Sequence, residues 1–228
     1  APIACDVSVV RRDGSVMLVS AILCVLVFQT GTLNRWIGAA FTVALATYIL
    51  IAIRATAPER AAAALIDAEM PKTGYWRHVK PLLIALFGLV LVLIGANWLV
   101  NSSIAIAKGL GVNESIVGLT IVAAGTSMPE LVTSLIAAVK RQSDIAIGNI
   151  IGSNIFNILG ILGVTALVQP IDVPAQIRNV DGYLMCGVTL LFVAASITGR
   201  RISRGEGALF LAMYVAYLAL AATHIKDV

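Results

Sequence analysis

Seven apolar stretches, at about 15–30, 36–54, 80–106, 115–139, 145–168, 182–198 and 206–224, decide what this chain can fold into. A hydrocarbon core about 30 Å thick is crossed by roughly 20 apolar residues wound as a helix, and in lipid every backbone N–H and C=O must find its partner inside the protein. Helices meet that condition segment by segment. The expected fold is therefore all-α: a polytopic membrane protein with seven transmembrane helices and mostly short loops. Composition agrees, since charged residues make up 12% of the 228 positions, against roughly 25% in a soluble domain.

The net charge of +4 does not point to nucleic acid. The basic residues sit in the connections and form no patch interleaved with aromatics. Assigned to alternate sides of the membrane, Arg11, Arg12, Arg54, Arg60, Lys72, Arg77, Lys80, Lys140, Arg141, Arg200, Arg201 and Arg204 face Arg35, Lys108, Arg178 and Lys226, a split of 12 to 4. By the positive-inside rule the first group is cytoplasmic and the C-terminus lies outside, which implies a multi-pass protein of the cell inner membrane. Trp36, Trp76 and Trp98, with Tyr75 and Tyr183, fall mostly near span ends, where amphipathic rings anchor. Cys5, Cys24 and Cys186 show no ligand spacing and read as small apolar side chains. His78 and His224 lie far apart, and there is no HExxH, Ser/His or paired-Asp arrangement, so neither an enzyme nor a bound cofactor is expected.

Shifting the sequence on itself by 168 positions pairs Pro2-Ile3 with Pro170-Ile171, Asp13-Gly14 with Asp181-Gly182, Met17 with Met185, and Thr30-Gly31 with Thr198-Gly199. One inserted residue later, Gly38, Phe41 and Tyr48 meet Gly207, Phe210 and Tyr217. The first two spans and the last two then read as copies. The offset includes five spans, an odd number, so the second copy enters the membrane from the opposite side. Inverted repeats of this kind build many secondary transporters, with the ion site near the midplane where the repeats meet. On this reading residues 1–54 hold the last two helices of a first repeat, 55–78 a cytoplasmic linker, and 79–228 a complete second repeat of five helices. Counterparts of the spans 80–106, 115–139 and 145–168 would precede Ala1. The intact protein is then expected to have a 5+5 architecture, and the expected partners of this chain are the missing N-terminal helices and the lipid bilayer.

Of the twelve acidic residues, only Glu130 sits well inside an apolar stretch. Even lenient insertion scales put a carboxylate at a helix centre at about 2.5–3.5 kcal/mol, so such a residue is a functional candidate by default. It ends the run Gly125-Thr126-Ser127-Met128-Pro129-Glu130. In a continuous helix Thr126 and Ser127 lie at i−4 and i−3 from Glu130, putting two hydroxyls and a carboxylate on one face. Pro129 has no N–H for the Gly125 carbonyl, which leaves that oxygen without its helical donor. Hard cations such as Na⁺ and Ca²⁺ take these oxygen types. The next span carries Asn149, Ser153 and Asn157 at i, i+4 and i+8, a polar stripe that must face protein, water or ions. Helix packing alone could use the same residues, and Gly148 with Gly152 is a GxxxG-like step; two neighbouring oxygen-rich spans favour a cation site.

In these two segments, GTSMPE and GNIIGSNIFN, the sequence resembles the sodium/calcium exchanger family of cation antiporters, whose repeats carry a GTSxPE helix followed by a GN(I/V)xGSN helix. Gly95-Ala96-Asn97-Trp98-Leu99-Val100 also looks like the family's helix leading into the second repeat. The resemblance extends over the whole chain and implies exchange of Na⁺ for Ca²⁺ by alternating access. It implies that Glu130 is the shared carboxylate and that Thr126, Ser127, Ser153 and the backbone carbonyl of Ala123 supply oxygens. Asn157 stands where some members have Asp, which bears on stoichiometry and K⁺ dependence. The family also needs a second GTSxPE-type helix, absent here, so this chain by itself is expected to bind Ca²⁺ weakly and not to transport it. The alternatives are an H⁺/divalent cation antiporter of the same fold and a membrane scaffold without transport.

Overall fold

The computed structural model describes residues 3–5, 7–55, 76–109 and 123–224. In chain order these form β1 (Ile3–Ala4), α1 (7–28), β2 (Thr32–Leu33), α2 (Arg35–Ala55), α3 (Trp76–Gly109), α4 (Ala123–Thr126), α5 (Met128–Val139), α6 (Ser143–Val168), β3 (Ile171–Asp172), α7 (Ile177–Thr198), β4 (Arg201–Ile202) and α8 (Arg204–His224). Among the described residues the regular structure is helical apart from four two-residue strands. The segments Arg35–Ala55, Val79–Ile106, Ser143–Val168 and Ile177–Thr198 are each long and apolar enough to cross a membrane. The expected spans at 15–30 and 206–224 fall in α1 and α8, and that at 115–139 is described from Ala123 onward. Most of the expected linker 55–78 lies outside the described residues, as do Tyr75 and the side chains of Trp76, His78 and His224.

In space the chain divides into two compact units, residues 1–70 with 138–204 and residues 71–137 with 205–228. The first unit is tied by two antiparallel ladders. Ile3 and Ala4 of β1 lie opposite Ile202 and Arg201 of β4, and Thr32 and Leu33 of β2 lie opposite Asp172 and Ile171 of β3. At 1.5 Å per residue α1 separates the ladders by about 33 Å, so they stand at its two ends. The start of α1 is thereby joined to the end of α7 and the end of α1 to the start of α7, which makes these helices antiparallel.

Each ladder is the image of the other, because β1 maps onto β3 by the 168-residue offset and β2 onto β4 by 169. The packing of α1 on α7 is reciprocal in the same way. A Cβ added to Gly14 would lie 3.5 Å from Val193, and one added to Gly182 would lie 3.6 Å from Val25; Val25 and Val193 are themselves 168 apart. Both helices also contain a π turn near the start, Val10–Gly14 and Ile177–Asp181. The left-handed turn residue after α1 is Gly31, with φ of 81°, and after α7 it is Arg200, with φ of 49°. The inserted residue therefore lies between Val193 and Arg200, and the backbone equivalent of Gly31 is Arg200 rather than the Gly199 that the letters align. Arg holds this conformation against the Cβ penalty that glycine escapes, and its carbonyl accepts the Cys5 N–H at 2.9 Å.

The core of the first unit sets α6 against α1 and α2. Ile147, Ile151, Ile155 and Leu159 of α6 are buried in one cluster with Met17, Ala21 and Cys24 of α1 and Phe41 of α2. Here the close approach comes from glycine. A Cβ on Gly38 would fall 2.3 Å from the Leu167 nitrogen, 2.7 Å from the Gly163 oxygen and 2.8 Å from the Ala166 carbonyl carbon. Hydroxyls within the helices bond back to the carbonyl four residues earlier, as Ser20, Thr42, Thr165, Thr189 and Ser196 do. This keeps a polar group satisfied on an apolar helix without a partner helix. In the second unit α4 packs on α3, where Gly125 gives way to Val100; a Cβ there would sit 1.9 Å from the valine Cγ2.

Candidate cation site

The apolar segment carrying GTSMPE does not form one helix. It runs as α4, turns at Ser127 and resumes as α5. The physical cause is in the run itself. Pro129 cannot donate to the Gly125 carbonyl, and the ladder picks up again with the Leu131 N–H on the Ser127 oxygen at 3.0 Å. The expectation of one continuous helical face is thereby corrected: Thr126 ends one segment, Ser127 is the turn, and Glu130 lies in the first turn of the next. Ala123, the expected carbonyl donor, lies in α4. Helix interruptions at depth are tolerated where they line a cavity or are buried in protein, and the carbonyl end of a half-helix is a cation-binding feature.

Glu130 is half-buried, and its Oε2 atom is buried without a hydrogen bond. Thr126 and Ser127 are exposed. Along α3, the second unit also contains a cleft of about 370 Å³ that Thr126, Gly125 and Pro129 share with Asn97 and Asn101. Sequence reasoning passed over the two asparagines, although amides one turn apart on an apolar helix were a legible signal.

The second motif lies in the first unit, on α6. Asn149 and Ser153 are partly buried and Asn157 is exposed. Ser153 Oγ donates to the Ile150 carbonyl at 3.2 Å, and Asn154 Nδ2 donates to the same oxygen at 2.8 Å. A hydroxyl whose proton is so used offers only acceptor lone pairs to anything else. Asn157 falls in the π-helical segment Phe156–Leu162. There the hydrogen bonds run i to i+5. Such π segments occur often at functional sites. Among the described residues no group of three or more His, Cys, Asp and Glu side chains converges. The other oxygens of the GTSMPE run are those of hydroxyls and the backbone, types that suit a hard cation rather than zinc.

A family model described as sodium/calcium exchanger protein matches residues 80–223. A protein of Alkalimonas amylolytica that carries the name antiporter CaxA is 34% identical over 223 residues, covering 95% of this chain and 69% of that one. The sodium/calcium exchanger MaX1 of Methanosarcina acetivorans is 46% identical over 110 residues, 48% of this chain and 31% of its own length. The solved structure of the sodium/calcium exchanger from Methanococcus jannaschii matches with a TM-score of 0.76 at 29% identity, over 96% of this chain and 67% of that one. This chain thus spans about two thirds of the length of the first and third of these relatives, and about a third of the second.

Proposed function

The chain belongs to the sodium/calcium exchanger family of membrane cation antiporters, and from that premise we propose that it contributes the second-repeat part of a site that exchanges Na⁺ for Ca²⁺ by alternating access. Glu130 is the carboxylate that either ion uses. Thr126 and Ser127 add hydroxyl oxygens, Ala123 its backbone carbonyl, Ser153 a hydroxyl and Asn157 an amide oxygen. Residues 1–54 act as the last two helices of a first repeat, 55–78 as the cytoplasmic linker and 79–228 as the second repeat. Ca²⁺ takes 6–8 oxygens, so helices of the first repeat are needed to complete the set.

The observation that supports this reading is the interruption of the apolar helix at Ser127, with Thr126 at the end of α4 and Glu130 in the first turn of α5. A carboxylate shared by Ca²⁺ and Na⁺ makes them competitors. Loaded forms then reorient, while the empty, negatively charged form is held back by the cost of charge in lipid. The protein is a multi-pass membrane protein, and we assign it to the cell inner membrane with its C-terminus outside the cytoplasm. In support, Arg11 and Arg12 share the end of α1 at the β1–β4 ladder with Arg200 and Arg201, while Arg35 and Arg178 stand beside the other ladder.

The test uses the complete protein in sealed vesicles. An imposed Na⁺ gradient should drive Ca²⁺ uptake, and Glu130→Gln should abolish it. Uptake driven only by a pH gradient would reject the Na⁺ assignment, and unchanged flux in the Glu130→Gln protein would remove Glu130 from the site.

A further inference from the structure

α3 carries two amides in a largely apolar helix. Its segment Val79–Ile106 is long and apolar enough to cross a membrane, yet Asn97 and Asn101 are both exposed on it, one turn apart. The Asn101 side-chain N–H donates to the Asn97 side-chain oxygen, which satisfies only part of either amide. An unsatisfied amide in hydrocarbon costs several kcal/mol, so this face calls for water or protein. Both asparagines line the cleft of about 370 Å³ whose other wall is Gly125, Thr126 and Pro129. Asn97 also lines a neighbouring cleft of about 360 Å³ with Ile94 and Trp98. Measured from the middle of Val79–Ile106 at 1.5 Å per residue, Asn97 lies about 7 Å and Asn101 about 13 Å along the helix axis. The amides thus step inward from the membrane end of the span.

We propose that Asn97 and Asn101 form an outer cation station, where an incoming Na⁺ or Ca²⁺ exchanges part of its water shell for amide oxygens before it reaches Thr126 and Glu130. The proposal rests on the antiporter reading above. Amide carbonyls are ordinary ligands of hard cations, and neutral ones hold them loosely, as a point of transit requires if ions are to leave as well as enter. Engaging the ion needs only that Asn101 release the Asn97 oxygen. A charged residue here would instead compete with Glu130.

The test is the initial rate of Na⁺-driven Ca²⁺ uptake by the complete protein in sealed vesicles, measured against Ca²⁺ concentration. The double variant Asn97→Leu with Asn101→Leu is expected to raise KM for Ca²⁺ three- to tenfold with kcat within twofold of wild type. Asn101→Asp, which keeps the side-chain size should the leucines disturb folding, is expected to lower KM and to make it rise more steeply with ionic strength. Wild-type KM in the folded double variant, or a salt dependence of Asn101→Asp equal to that of wild type, overturns the station and leaves the antiporter reading intact. Absence of Na⁺-driven uptake by the wild-type protein removes both.

Discussion

Replacing Gly38 by alanine tests how α2 is seated. The new Cβ would lie 2.3 Å from the Leu167 nitrogen and under 3 Å from two more backbone atoms of α6. Carbon needs about 3.5 Å from a non-bonded neighbour, and backbone on both sides cannot swing away as a side-chain tip can. The helices must separate by about 1 Å. A gap of that size forfeits up to half of each contact's dispersion energy, and overpacking of this kind costs about 1–3 kcal/mol, with backbone clashes at the upper end. Alanine returns about 0.5–1 kcal/mol of helix propensity. The net loss is about 2 kcal/mol, close to a thirtyfold fall in the folded-to-unfolded ratio. Gly187 supplies the control, because it is also helical, lies in the same unit and, among the described residues, has nothing within 4 Å of its added Cβ; Gly187→Ala should be neutral or slightly stabilising. Denaturant titration of the two purified variants in one detergent measures the difference. Equal stability of Gly38→Ala and Gly187→Ala would refute the claim that this glycine is held by backbone on backbone.

In flux assays on the complete protein, Glu130→Gln should lose at least about thirtyfold in Na⁺-driven Ca²⁺ uptake, the lower bound for removing one partner of a desolvated charge pair; retention of half the wild-type rate would contradict the assignment. Asn157→Asp adds a carboxylate to the oxygen set and should tighten Ca²⁺ binding on the order of tenfold, read by isothermal titration, with no change counting against Asn157 as a ligand. Tyr48→Phe removes the hydroxyl that hydrogen-bonds the buried Asp13. Arg12 still holds that carboxylate through two bonds of 2.9 and 3.0 Å, so the loss should fall near 1.5 kcal/mol, the lower range for a bond to a charged group. Denaturant titration reads it, and a neutral variant would show that the hydroxyl contributes nothing to the docking of α2.

Local chemistry by itself determined the class of fold and singled out the candidate site run. Apolar runs of bilayer length leave helices as the economical solution for backbone polar groups, and a lone Glu inside such a run, behind Thr126, Ser127 and Pro129, is conspicuous on energetic grounds alone. The 168-residue repeat was legible too, because Asp13-Gly14 and Asp181-Gly182 keep their letters. Other features depended on what lies across the fold. That Arg200 rather than Gly199 takes the left-handed turn follows from where β4 must meet β1, a pairing of residues nearly two hundred positions apart. The break at Ser127 was hinted at by Pro129, but periodicity counts positions as though the helix were unbroken and so gave Thr126, Ser127 and Glu130 a common face. Asn97 and Asn101 gained meaning only from the wall opposite them, since an amide's role is set by what shares its cleft and no pattern along one helix contains that neighbour.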